Sequence, residues 1–239
     1  MYSFEGNIRY SETDVDCRLT VKSLIDYFQD CSVFHCESIG GGIAHLKGRG
    51  LGWMVAAWQI HIHELPSLGD HVVASTWPST FGMTCQRAFT LERPDGTMLA
   101  EADSLWFMYD FEAGGPVHLP EDEIRKFDED IAPGLDLPKT RMSIKAKGEG
   151  VKGTPTVVGP ELLDSNGHMN NAYYINIAYE AAEMDGTPAR IDAIYRNPAM
   201  RGDTIVPVVR DPEGNGTKTV ELLASNGDAY SVVRLYATE

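Results

Sequence analysis

Asp164-Ser165-Asn166-Gly167-His168-Met169-Asn170-Asn171 runs directly into the apolar stretch AYYINIAYEAA. A polar, glycine-containing segment that gives way to an apolar one marks a loop turning into a helix. Asn170 or Asn171 can cap that helix, because Tyr174, Ile177, Ala178 and Ala181 recur at the spacing of a buried helical face. The N–H groups of its first turn would then favour negative charge developing beside His168. A carboxylate, an amide and an imidazole fall within five positions here, so Asp164, Asn166 and His168 form a candidate catalytic group.

The same pattern occurs earlier in the chain in weaker form. Asp14-Val15-Asp16-Cys17-Arg18-Leu19-Thr20 aligns with Asp164 to Asn170 at an offset of 150 positions, and each is followed by an amphipathic helical segment. Further on, Leu68-Gly69-Asp70 matches Arg201-Gly202-Asp203, and Asp95-Gly96 matches Asn226-Gly227, dipeptides that mark tight hairpins between alternating strands. Each copy therefore reads as a strand, a long helix, and a meander of three or four strands whose apolar face the helix covers. Pro, Gly and charge in PGLDLPKT and KGEGVKG place the boundary near residues 135 to 150. The expected division is a first domain over 1–138, a linker over 139–152 and a second domain over 153–239. At the positions of Asn166, His168 and Asn171 the first copy has Asp16, Arg18 and Val21, so only the second can carry this chemistry.

Composition narrows the function classes. The chain has 239 residues, 43% of them hydrophobic, enough for one large domain or two small ones. No segment approaches the roughly 18 uninterrupted apolar residues of a membrane span, and MYSFEGNIRYSETD lacks the pattern of a signal peptide, so a cytoplasmic protein is expected. Cys17, Cys31, Cys36 and Cys85 have neither the density nor the spacing of a disulfide framework or a zinc site. His61 and His63 share one face of a strand, yet no third ligand stands at suitable spacing, and neither a metal nor another cofactor is expected. A formal charge of −15 argues against nucleic acid, which requires clustered Lys and Arg.

DSNGHMNNAYYINIAYEAA resembles the D-x-N-x-H-V-N-N-x-x-Y-x-x-W-x-x-E segment of the acyl-ACP thioesterases, with Asp164, Asn166, His168, Asn170, Asn171, Tyr174 and Glu180 at matching positions and Ile177 where the family often has Trp. GWMVAAWQIHIHELPSLGDHVVASTWP is similar to the strand pair near that family's N-terminus, and with LPEDEIRKF the resemblance spans nearly the whole chain. It implies an α+β double hot-dog: two tandem units, each a long helix wrapped by an antiparallel sheet, forming an internal pseudo-dimer. It further implies an acyl chain held by the first half, with Trp53, Met54 and Trp58 as candidates for its pocket, and chemistry in the second. The implied partner is an acyl carrier protein bearing a phosphopantetheine-linked acyl chain; a homodimer stays open. That carrier is itself acidic, so docking on a chain of −15 would need a local basic patch, and Lys139, Arg141, Lys145, Lys147 and Lys152 are the densest cluster, unless they belong to a solvated linker.

Thioester hydrolysis needs a polarised carbonyl and an activated nucleophile, because thiolate leaves readily. His168 is the candidate base, Asp164 or Asn166 would orient its ring, and amides near Asn170 and Asn171 would meet the oxyanion. The chain departs from the family at Tyr195-Arg196-Asn197-Pro198-Ala199-Met200, where Pro198 and Ala199 occupy positions that often hold Glu and, in plant members, Cys. No cysteine lies beyond Cys85. Either water attacks with Asp164 and His168 as the working pair, or turnover is slow. An acyl-CoA thioesterase and a non-catalytic acyl-binding protein remain alternatives, while the spacing D-S-N-G-H speaks against the hydratases of this fold, which place His one position later.

Overall fold

The computed structural model of the chain describes residues 1–140, 142–211 and 216–237. They divide into two compact units, one formed by Met1–Ala56 with His63–Thr140 and the other by Ala57–Ile62 with Arg141–Glu239. The second unit thus takes in a short piece of chain from far upstream, which a purely sequential division at residue 138 does not contain.

In the first unit the elements follow as β1 (Tyr2–Asn7), α1 (Val21–Ser38), α2 (Ile43–Gly48), the first half of β2 (Leu51–Ile62), β3 (His71–Phe81), β4 (Cys85–Glu92), β5 (Met98–Asp110), β6 (Gly115–Val117) and the single turn α3 (Glu121–Ile124). Strands β1, β3, β4 and β5 pair antiparallel in that order, with β6 folded back on β5. Helix α1 starts where Thr20 accepts the N–H of Ser23 through its side chain. It turns Leu24, Ile25, Phe28 and Cys31 inward, all fully buried, and it packs across β1 and β3. The rings of Phe28 and Phe89 meet at 5.4 Å between helix and sheet. Truncating either to Ala should cost about 3–5 kcal/mol, the usual range for a buried aromatic.

In the second unit the order is β7 (Val151–Lys152), β8 (Thr156–Val157), α4 (Asn171–Ala182), β9 (Arg190–Tyr195), β10 (Thr204–Arg210), β11 (Lys218–Leu223) and β12 (Ala229–Tyr236). The second half of β2 pairs with β9, β9 with β12, β12 with β11, β11 with β10, and β10 with the short β7 and β8. Side chains alternate between the faces of a strand. Ile191 and Ala193 therefore share a face with Tyr195, whose hydroxyl reaches α4. That face is apolar and continues through Val220, Leu222, Val233 and Leu235, all buried.

The opposite face of the second unit mixes buried Ile194, Val208 and Val232 with paired charges. Arg190 and Tyr236 both hydrogen-bond Asp192, and Arg210 pairs with Glu221. Arg234 donates to the carbonyl of Lys145, Arg210 donates to that of Gly148, and Ile144 is buried. In the first unit Trp77 Nε1 donates to Pro133, and Thr140 donates to Asp103. The segment expected to be a linker is thus strapped to a sheet face within each unit. No helix among the described residues is long and apolar enough to cross a membrane.

Candidate active site

The turn at Asp164 is organised by its own carboxylate. Asp164 Oδ1 accepts the backbone N–H of Asn166 at 2.8 Å and that of His168 at 3.1 Å. The carbonyl of Asp164 accepts the N–H of Gly167, and its N–H donates to the carbonyl of His168 at 2.7 Å. Closing so tight a loop puts Gly167 at φ +77°, a left-handed conformation that glycine adopts without penalty. Asn170 then caps α4, accepting the N–H of Ala172 at its side chain and that of Tyr173 at its carbonyl.

The first copy makes the same turn. Asp14 Oδ1 accepts the N–H groups of Asp16 at 2.9 Å and Arg18 at 3.0 Å, Asp14 N–H donates to Arg18, and Cys17 takes the left-handed position at φ +59°. A second loop is duplicated against it at an offset of 133 positions. Leu19 N–H donates to Pro66 and Met169 N–H to Ala199, both at 2.8 Å, and Arg18 bridges Ser67 as His168 bridges Met200. Asp70 and Asp203 each accept a backbone N–H within their own turn.

His168 is half-buried, with the backbone of Met200 alongside it. Among the described residues no hydrogen bond to its ring is recorded. The Asp164 carboxylate holds the peptide on which His168 stands. Asn166 and Asn171 are half-buried on the same turn. The N–H groups of Asn170, Ala172 and Tyr173 donate within the turn and cap.

Sequence reasoning placed Tyr174 on the buried helix face without assigning a part to its hydroxyl or to that of Tyr195. Tyr174 Oη accepts the N–H of Ala199 at 2.7 Å, and Tyr195 Oη donates to the carbonyl of Asn171 at 3.0 Å. Their rings meet edge to face at 5.4 Å. Burial pushes the Tyr174 phenol up to about 12, with smaller contributions from Tyr230, Asp164 and Asp203. The signal was available in the repeat: Leu24 and Pro66 stand where the second copy has Tyr174 and Ala199.

The remaining candidates are dispersed. Trp53 packs against the cluster of Leu46, Leu51, Cys85, Met108 and Leu119 in the first unit, and Met54, the next strand residue, projects to the other face. Trp58 is fully buried and lies in the piece of β2 that belongs to the second unit. Lys139, Lys145, Lys147 and Lys152 are exposed on the strap, whereas Arg141 lies outside the described residues. All four cysteines are free thiols, and burial pushes Cys31 and Cys85 up to about 12, unsuited to nucleophilic chemistry. His63 pairs with Glu101 at 3.1 Å, and among the described residues no group of three or more ligand-type side chains could hold a metal ion.

Known proteins share this architecture. A putative oleoyl thioesterase from Lactobacillus plantarum superposes with a TM-score of 0.85 at 20% identity, covering 100% of this chain and 97% of the other. An acyl-ACP thioesterase from Bacteroides thetaiotaomicron gives 0.86 at 20% identity, covering 98% and 96%. Both likenesses establish the hot-dog fold. In sequence, the chloroplastic acyl-(acyl-carrier-protein) hydrolase FATB3 of Cuphea viscosissima is 26% identical over 235 residues, covering 90% of this chain and 56% of that protein. A chloroplastic palmitoyl-acyl carrier protein thioesterase of Gossypium hirsutum is 26% identical over 197 residues, covering 77% and 48%. The chain thus spans about half the length of the curated relatives it matches. Residues 1–127 match the family model of the acyl-ACP thioesterase N-terminal domain, more than half of the sequence. With the duplicated turn and the Asp164 to Asn171 constellation in place, the chain belongs to the acyl-ACP thioesterase family.

Proposed function

We propose that this protein hydrolyses the thioester of acyl-ACP and releases a free fatty acid, terminating fatty-acid synthesis. The observation that carries the reading is the contrast between two turns of one backbone, of which only the second presents Asn166, His168 and Asn171. His168 takes a proton from water as the water oxygen bonds to the thioester carbonyl carbon. The side-chain amides of Asn166 and Asn171 face the charge that develops on the carbonyl oxygen. The C–S bond then breaks, and the imidazolium returns its proton to the departing thiolate. Asp164 holds the peptides of Asn166 and His168 in place throughout. No cysteine stands in the second unit, so water is the nucleophile.

The first unit, free of these groups, holds the acyl chain, with Trp53 and Met54 as residues that set its length. The exposed Lys139, Lys145 and Lys147 receive the acidic carrier. Free-thiol release from purified acyl-ACP and acyl-CoA tests the whole reading. Release from acyl-ACP that weakens with added salt is the expected result, because salt screens carrier docking. Preference for acyl-CoA would transfer the assignment to the CoA thioesterases, and tight acyl binding with no thiol release would make the chain an acyl-binding module.

A further inference from the structure

We infer that Tyr174 and Tyr195 are positioning residues: through Ala199 and Asn171 they fix the two backbone segments between which His168 sits. The inference rests on the reading of His168 as the base and adds the groups that hold it in register.

Each link is short and sheltered. Ala199 has no exposed surface, and Tyr174 is 2% exposed. The Ala199 N–H donates to Tyr174 Oη at 2.7 Å, while its carbonyl accepts the N–H of Met169, the residue after His168, at 2.8 Å. The next residue, Met200, is the bridge partner of His168 itself. Tyr174 thereby anchors the loop on one side of the imidazole. Tyr195 anchors the other side, since its hydroxyl holds the carbonyl of Asn171 at the start of α4. The edge-to-face contact of the two rings couples the anchors.

The first copy separates this role from simple construction of the turn. There Pro66 replaces Ala199 and brings no N–H, so no acceptor is needed, and Leu24 and Ile62 stand at the positions of Tyr174 and Tyr195. The Leu19 to Pro66 hydrogen bond forms regardless, at the same 2.8 Å. The turn and its neighbouring loop are therefore built without tyrosines where there is no histidine to place. In the copy that carries His168, the residues at these two positions are tyrosines whose hydroxyls hydrogen-bond the backbone.

Tyr174→Phe and Tyr195→Phe, each removing one oxygen, provide the test at a temperature well below the unfolding midpoint. Tyr174→Phe should lower kcat about tenfold, within the range that a small misplacement of a catalytic group costs, with KM little changed. Tyr195→Phe, which leaves no buried N–H unpaired, should lower kcat in the same sense by less. In NMR spectra the ring resonances of His168 should shift in both variants, a signature that needs no turnover. Adding Ala199→Pro to Tyr174→Phe removes the orphaned donor and should recover the thermal midpoint without recovering kcat. Wild-type kcat and unmoved His168 resonances in the two Phe variants would overturn the inference, leaving the tyrosines as core packing. His168→Ala, run alongside, keeps the readings apart. If that variant is inactive while Tyr174→Phe is wild type, only the positioning role falls; if it is active, the base assignment falls and the positioning role with it.

Discussion

At Asp14 and at Asp164 the chain makes one turn twice, with matching acceptors, matching left-handed residues and matching loops alongside. What differs is the set of side chains that the backbone displays. Asp16, Arg18 and Val21 are carried in the first turn; Asn166, His168 and Asn171 in the second. The D-x-N-x-H signature therefore separates into two layers. Its aspartate, its left-handed residue and its helix cap are common to both turns, and only the amides and the imidazole are specific to the second unit. An aspartate four residues before a histidine reads as a catalytic partner; here its carboxylate also closes the loop.

The largest effect should come from removing what the two turns do not share. His168→Ala should lower kcat by roughly 10²–10⁴-fold, the usual consequence of losing a general base. Arg18→Ala, the same truncation at the same backbone position in the first unit, should leave kcat unchanged. Steady-state thiol release by both variants checks the pair. A loss of turnover in Arg18→Ala would mean that the first turn is not chemically silent, and the division of labour between the units would fail.

Removing what the turns do share should act on stability in both. Asp14→Ala and Asp164→Ala each take away a carboxylate that accepts two backbone N–H groups, a loss of about 1–3 kcal/mol for hydrogen bonds to a charged acceptor. Asp164 is half-buried and Asp14 exposed, so the second-unit variant should lose more. Asp164→Asn keeps an oxygen at the Oδ1 position and should keep both the thermal midpoint and most of the turnover. If its kcat collapses while its midpoint holds, the negative charge belongs to the mechanism and Asp164 is more than a brace.

Much of this was legible in the sequence because local rules act over a few residues. Asp and Gly at fixed offsets specify the turns, Asn170 announces the second helix, and Asp95-Gly96 and Asn226-Gly227 mark hairpins whose glycines adopt φ +85° and +91°. The features missed depend on partners distant in the chain. Tyr174 reads as one more apolar helix residue until Ala199 is placed against it. The segment 139–152 reads as a linker because most of its anchors, the carbonyls of Lys145 and Gly148, are groups that every residue possesses. The transfer of Ala57–Ile62 to the second unit has no local cause, since β2 is one uninterrupted strand and its pairing with β9 decides the matter.

The smallest effect lies at the left-handed position, and it examines whether the two turns are one structure energetically as well as geometrically. Cys17 at φ +59° carries a side chain where Gly167 at φ +77° has none. An L-residue in this region pays about 1–2 kcal/mol of steric cost, whereas glycine pays instead through the extra freedom of its unfolded chain, about 0.4–1 kcal/mol. Cys17→Gly should therefore stabilise the protein slightly, by up to about 1 kcal/mol. Gly167→Ala should destabilise it by a similar amount, and for backbone reasons alone, because no heavy atom lies within 4 Å of the Cβ it would gain. Opposite shifts of the thermal midpoint, alike in size, are the expected result. Gly167→Ala should keep most of its kcat, since the ring of His168 is displaced only if the peptide turns. Should Cys17→Gly destabilise instead, the first turn has adapted to its cysteine, and the two copies, though alike in their hydrogen bonds, would no longer obey one set of rules.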